Sequence, residues 1–194
     1  MVSGVKIHVE GYHHVRHDYG FIFMANHQSM FDILALLACL PIRFRWLAKK
    51  ELFQIPLFGH ALTRGGHVAI DRSDRKSAYQ SLLDAAGRIA TGASVIIFPE
   101  GSRSSDDRLN PFKPGGFYLA LLAKRPIVPV AIYGTHQVLP KGSIRVKPGH
   151  VIVRISRPIS TDRFERKTKH LLMEEVRGVI ENELTRMKTN WTRL

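Results

Sequence analysis

Apolar positions along the chain fall into two kinds of run, and the two alternate. Residues 21–25, 94–98 and 127–133 are apolar at nearly every position, which predicts short strands buried on both faces. Residues 5–10 and 151–156 alternate apolar with polar, as strands with one wetter face do. Residues 44–48 and 68–71 are two further candidate strands, and Pro56 and Gly59 interrupt the stretch 51–62 between them. The intervening segments have helical spacing. Residues 29–40 read as a helix opened by Ser29, with Asp32 three positions on at capping-box spacing. Residues 77–90 put Leu82, Leu83, Ala86 and Ile89 on one face, and residues 116–123 form another helix. Residues 163–187 read as a long amphipathic helix striped by Leu172, Val176, Val179, Ile180, Leu184 and Met187. With no repeat and no low-complexity linker, this order predicts one α/β domain over residues 1–194. Its sheet should be mixed and largely parallel, with flanking helices. Chemistry in such sheets gathers in the loops just past the strand ends.

Composition supports a single core, because 44% of the 194 residues are apolar. Charge changes the picture more. There are 29 Lys and Arg against 16 Asp and Glu, a formal net charge of +13. Such a surface attracts nucleic acid, anionic lipid headgroups or phosphorylated substrates, and charge alone does not choose among them. Zinc-finger spacing, an RNP-like aromatic motif and a basic zipper are all absent, so nucleic acid is not the expected partner. A basic nucleic-acid-binding protein remains the alternative from a different class. The single cysteine, Cys39, lies in an apolar run and reads as core. His13, His14 and His17 raise metal-dependent hydrolysis as a third option, but although His13 and His17 are four apart the segment reads as turn and neither H-E-x-x-H nor Cys/His zinc spacing is present, so no metal site is expected. No apolar run approaches the roughly 20 residues that span a bilayer, and no signal peptide is visible. Membrane contact is therefore expected to be peripheral, at the cytoplasmic face, unless an N-terminal segment outside this chain supplies it. The strand reading already begins at Val5, which fits a shortened form of a longer protein.

Four stretches carry candidate chemistry. Asn26-His27-Gln28-Ser29-Met30-Phe31-Asp32 follows a buried strand and opens a helix. A histidine folded back over that first turn can set its ring against Asp32, giving a general base and its orienter. The competing reading is a loop histidine followed by an aspartate that merely caps the helix. Phe98-Pro99-Glu100-Gly101-Ser102-Arg103-Ser104 leaves the strongest strand through a glycine bend and offers hydroxyl and guanidinium donors to a phosphate. Glu100 could hold Arg103 or bind an acceptor hydroxyl; the plainer reading is a surface turn. Gly66-His67-Val68-Ala69-Ile70-Asp71-Arg72 ends in a cation, and Val128-Pro129-Val130-Ala131-Ile132 is an apolar strand that could line an acyl channel or simply be core.

In this order the four stretches resemble the motifs of the lysophosphatidic acid acyltransferase family, the glycerolipid acyltransferases marked by H-x-x-x-x-D. The segment from Ala48-Lys49-Lys50-Glu51-Leu52-Phe53 to Gly59, and Phe112-Lys113-Pro114-Gly115, are similar to family segments too. The resemblance runs from about residue 5 to residue 160, with the catalytic motifs within 26–133. It implies that His27 deprotonates the acceptor hydroxyl with Asp32 as partner. It also implies that Glu100, Gly101, Ser102 and Arg103 bind the glycerol phosphate, aided by Arg72 and by Lys49 or Lys50, and that Val128, Pro129 and Val130 line the acyl path. The donor would be acyl-CoA or acyl-carrier protein, with lysophosphatidic acid as acceptor, an anionic membrane surface as partner and no cofactor or metal. Glycerol 3-phosphate, a lysophospholipid with a headgroup and a lyso-aminolipid remain alternative acceptors. The apolar helical hairpin that many members carry before the catalytic motif is not found in the 25 or so residues ahead of His27. The long C-terminal helix, rich in Lys and Arg, packs on the sheet in one reading and lies on a membrane surface in the other.

Overall fold

The computed structural model describes residues 4–15, 20–40, 42, 44–71, 74–104 and 108–191. Its strands are β1 (Val5–Glu10), β2 (Ile22–Ala25), β3 (Phe44–Lys49), β4 (Val68–Ile70), β5 (Ser94–Ile97), β6 (Ile127–Tyr133) and β7 (Gly149–Ile155). The helices are α1 (Phe31–Cys39), α2 (Phe58–Arg64), α3 (Arg75–Ala90), α4 (Gly115–Ala123), α5 (Thr135–Val138) and α6 (Lys169–Trp191), with 3-10 turns at Tyr12–His14 and Lys50–Gln54. All seven strands form one sheet in the order β1-β7-β6-β2-β5-β3-β4.

The two apolar patterns sort by position in that sheet. The all-apolar runs become β2, β5 and β6, which occupy the interior and are buried at every position. The alternating run at residues 5–10 becomes the edge strand β1, half-buried and exposed by turns. Strands β2 to β6 are mutually parallel, while β7 pairs antiparallel with β6 and parallel with β1. The mixed, largely parallel sheet is thus the one the pattern predicts.

Side chains of the interior strands point alternately into two cores. Ile22 and Met24 of β2 join Ile127 and Ala131 of β6 beneath α3, α4 and α6. Phe23 and Ala25 join Val128, Val130 and Ile132 beneath α1. Helix α6 packs on the first of these cores through Leu172, Val176, Ile180, Leu184 and Met187, all buried, so its apolar stripe belongs to the fold. The helix starts at Lys169 and not at residue 163. The preceding turn is closed by Thr168, whose hydroxyl accepts the Glu165 N–H at 2.8 Å and whose carbonyl accepts that of Leu171. Among the described residues no helix is long and apolar enough to cross a membrane.

Because β2, β3, β5 and β6 run parallel, their C-terminal ends lie at one end of the sheet. The loops that follow β2 and β5 contain the first and third candidate stretches, so they meet there.

Candidate active site

His27 and Asp32 come together. His27 Nδ1 lies 2.8 Å from Asp32 Oδ2, with Asp32 fully buried and the His27 side chain 13% exposed. The same carboxylate oxygen accepts the backbone N–H groups of Gln28 and Ser29, each at 2.8 Å, while Ser29 Oγ accepts the Phe31 N–H at 3.0 Å. Asp32 thus caps the Ser29 N–H and Ser29 the Phe31 N–H, but the regular helix begins at Phe31 with Met30, not Ser29, at its N-cap. Capping and orienting the histidine are one arrangement here, not two competing ones. Nδ1 faces an acceptor, so it carries the ring proton and Nε2 is left with its lone pair. Nε2 has no partner among the described residues.

The loop after β5 fixes the rest of His27. Its N–H donates to Glu100 Oε1 at 2.7 Å, and its carbonyl accepts the Ser104 N–H at 2.8 Å. Its ring stacks on Phe98, centroids 4.0 Å apart and planes within 14°, and Phe98 stacks in turn on Trp46 of β3 at 5.7 Å. One residue earlier, Asn26 exchanges two hydrogen bonds with the Ile132 backbone, at 2.9 and 2.7 Å, and clamps the end of β2 to β6. Backbone, ring plane and tautomer are thus each set by a different contact.

The cations divide into committed and available. Arg103 is half-buried, directly precedes Ser104, and makes no ion pair or hydrogen bond among the described residues. Ser102 is exposed beside it. Gly101 takes a left-handed φ of 73°, and Lys113 crosses over it so closely that a Cβ there would lie 2.9 Å from Lys113 Nζ. Lys49 is exposed, whereas Lys50 pairs with Asp71 at 2.9 Å, which raises the pKa of the lysine. Arg72 lies outside the described residues. Lys113, Phe98 and Gly101 also border a mostly apolar cavity of about 280 Å³ that runs back to Leu47, Ile70 and Leu82. A larger hollow, about 760 Å³ and bounded by His14, Arg154 and Arg157, sits past the end of β7 and so at the opposite end of the sheet from His27.

Comparison with known proteins agrees with this geometry. The acyltransferase family profile matches residues 6–133, two thirds of the chain and every motif. The chain belongs to the acyltransferase family. Among its relatives, the 1-acyl-sn-glycerol-3-phosphate acyltransferase of Limnanthes alba is 40% identical over 161 residues, 82% of this chain and 56% of that protein. The alpha form from Mus musculus is 33% identical over 161 residues, covering the same two shares. The crystal structure of PlsC, the 1-acyl-sn-glycerophosphate acyltransferase of Thermotoga maritima, superposes with a TM-score of 0.81 at 30% identity, over 94% of this chain and 72% of that one. The chain spans a little over half the length of the plant and mouse relatives.

The structure refines three readings of the acyltransferase motifs. Glu100 does not hold Arg103 but accepts two backbone N–H groups. It is 2% exposed, and its second oxygen accepts the Asn110 N–H at 2.8 Å, so both oxygens brace backbone. Val128, Pro129 and Val130 are buried in the interior strand β6, with Val128 and Val130 in the second core. None of the three borders the cavity beside Phe98. Ser104, read from sequence as a phosphate donor, instead turns its N–H and hydroxyl to the His27 carbonyl, and Asn110, Phe98 and Lys113 are site residues that the motifs do not single out. For Lys113 a signal existed, since the Phe112-Lys113-Pro114-Gly115 segment had already been matched to the family.

Burial raises the Glu100 pKa, opposed by the hydrogen bonds from His27 and Asn110. With a folded pKa above the unfolded one, its contribution to stability is complete below the ordinary glutamate range and falls as pH rises through the folded value. Glu100→Gln keeps one acceptor and turns an NH2 toward the other N–H. It should cost about 1–3 kcal/mol, and because only the wild type carries the titration, that penalty should narrow as pH rises. Thermal unfolding of both proteins below and above the carboxylate range measures it; a pH-independent difference would refute the assignment.

Proposed function

We propose that this chain transfers a fatty acyl group from an acyl thioester to the sn-2 hydroxyl of lysophosphatidic acid, giving phosphatidic acid. The observation that carries the reading is the His27 Nδ1–Asp32 Oδ2 bond at 2.8 Å, with Nε2 left unpartnered beside the Arg103 loop. Nε2 takes the hydroxyl proton as the acceptor oxygen attacks the thioester carbonyl. The tetrahedral adduct then collapses, the carbon–sulfur bond breaks, and the imidazolium returns its proton to the departing thiolate. Asp32, ionised and buried, stabilises the imidazolium between those two steps. No acyl-enzyme, metal or cofactor is required, and acyl-CoA or acyl-carrier protein serves as donor.

Arg103 offers a guanidinium fork suited to a phosphate monoester, with Lys113 and Lys49 as further cations. An acyl chain fits the apolar cavity that starts at Phe98 and Gly101. The substrates place the work at an anionic membrane surface on the cytoplasmic face.

The direct test is transfer from labelled long-chain acyl-CoA to lysophosphatidic acid in mixed micelles, with release of free thiol measured in parallel. Phosphatidic acid and thiol should appear in equal amounts. No product with acyl-CoA or acyl-carrier protein, on this acceptor, glycerol 3-phosphate, a headgroup lysophospholipid or a lyso-aminolipid, would sink the reading.

A further inference from the structure

Two loops at the catalytic end of the sheet display apolar side chains to solvent. The first joins β3 to β4. In it Ile55 is 47%, Leu57 89% and Phe58 50% exposed. Leu57 has φ 63° and ψ −53°, a conformation that branched side chains rarely adopt. The Phe58 N–H donates to the Pro56 carbonyl at 2.7 Å, closing a strained three-residue turn with Leu57 at its centre. The turn cannot relax easily. Gly59 packs so tightly on the Phe53 backbone that a Cβ would fall 1.9 Å from the Phe53 carbonyl oxygen. Strain here holds a leucine outward, the reverse of what solubility favours.

The second loop joins β6 to β7. Ile144 at its tip is 99% exposed. Since β6 is parallel to β2 and β7 returns antiparallel, this loop also lies at the His27 end, on the far side of β2 from the first. Cations accompany both tips. Lys49 and Lys50 precede the first, with Glu51 beside them and Asp71 paired to Lys50, and Lys141, Arg145 and Lys147 flank the second with no acid from residue 134 to residue 148.

We infer that Leu57, with Ile55 and Phe58, and Ile144 are two insertion points that dock the catalytic end of the sheet onto an anionic bilayer. Exposed apolar tips accompanied by cations match the chemistry of an anionic interface, with apolar groups entering the acyl boundary and cations meeting headgroups. A rigid two-point contact sets the His27 pocket facing the lipid. That orientation has catalytic meaning only on the acyltransferase reading, but the docking itself does not depend on it.

The test is flotation of the full chain with vesicles of phosphatidylcholine alone or mixed with phosphatidylglycerol. It compares wild type, Leu57→Asn, Ile144→Ser, the double variant, and Leu171→Ser as control. Leu171 is 47% exposed in the first turn of α6, outside both loops. Wild type should bind the anionic vesicles, more weakly as salt rises. Each tip substitution should weaken binding by roughly tenfold, the double variant more, and Leu171→Ser not at all, with melting temperatures unchanged. Wild type that ignores anionic vesicles, a double variant that binds as wild type does, or a control that loses as much would each overturn the proposal. Transfer to a soluble short-chain lysophosphatidic acid separates the two readings. The double variant should match wild type there, and vesicle binding without any transfer would sink the activity while leaving the docking intact.

Discussion

His27→Ala should abolish acyl transfer while leaving the fold standing. Losing a positioned base that also returns the proton costs roughly 10²–10⁴-fold in rate. Stability should fall by no more than the lost Nδ1–Asp32 bond, about 1–3 kcal/mol, because the other contacts that hold this segment use the His27 backbone. The N–H to Glu100 and the carbonyl to Ser104 survive truncation, and Asp32 keeps the Gln28 and Ser29 N–H groups. Also lost is a stacking partner for Phe98, which keeps its stack on Trp46. Steady-state transfer kinetics beside a thermal melt decide the matter. A variant within a few-fold of wild type would move the base to another residue. A variant that fails to fold would show that the ring, not the backbone, holds the loop.

The sequence disclosed the pieces of this site better than their joints. All-apolar runs and one alternating edge run sufficed to order interior and edge strands, because burial on two faces and on one leaves different periods. His27 and Asp32 were legible because the pair is local, five residues apart across a helix start. Glu100 was legible as a site residue but not in its role, since its partner His27 is 73 positions away and nothing local says that a glutamate in a loop faces backbone. Val128–Val130 are buried away from the cavity beside Phe98, which sequence does not reveal for the complementary reason: an apolar strand reads the same whether its side chains meet a cavity or another core. Leu57 escaped notice because Pro56 and Gly59 signal only a break in periodicity. That the break holds a leucine outward depends on a backbone angle no residue pattern specifies.

Asp32→Asn should cost both activity and stability, and the combination identifies the residue's double duty. Oδ2 receives three donors, from His27 Nδ1 and the backbone of Gln28 and Ser29, whereas Oδ1 is buried without a partner among the described residues. An asparagine must therefore keep its oxygen toward the donors, since the reverse flip would set an NH2 against three hydrogens. Its amide hydrogens then occupy the Oδ1 side, buried and unpaired. Three charge-assisted bonds become neutral ones and the negative charge at the α1 N-terminus disappears, together about 2–4 kcal/mol. The tautomer survives, but the imidazolium loses its counter-ion, and transfer should slow by at least about 10²-fold. The double variant His27→Ala/Asp32→Asn separates the roles. Its rate should be no lower than that of His27→Ala alone, because without the imidazole the carboxylate has nothing catalytic to stabilise. Its stability should still fall below that of His27→Ala, by the part of the Asp32→Asn increment that the Gln28 and Ser29 bonds carry, because that capping does not involve the ring. Rates that multiply would mean that Asp32 acts on substrate independently of His27. A melting temperature equal to that of His27→Ala would mean that the cap contributes nothing.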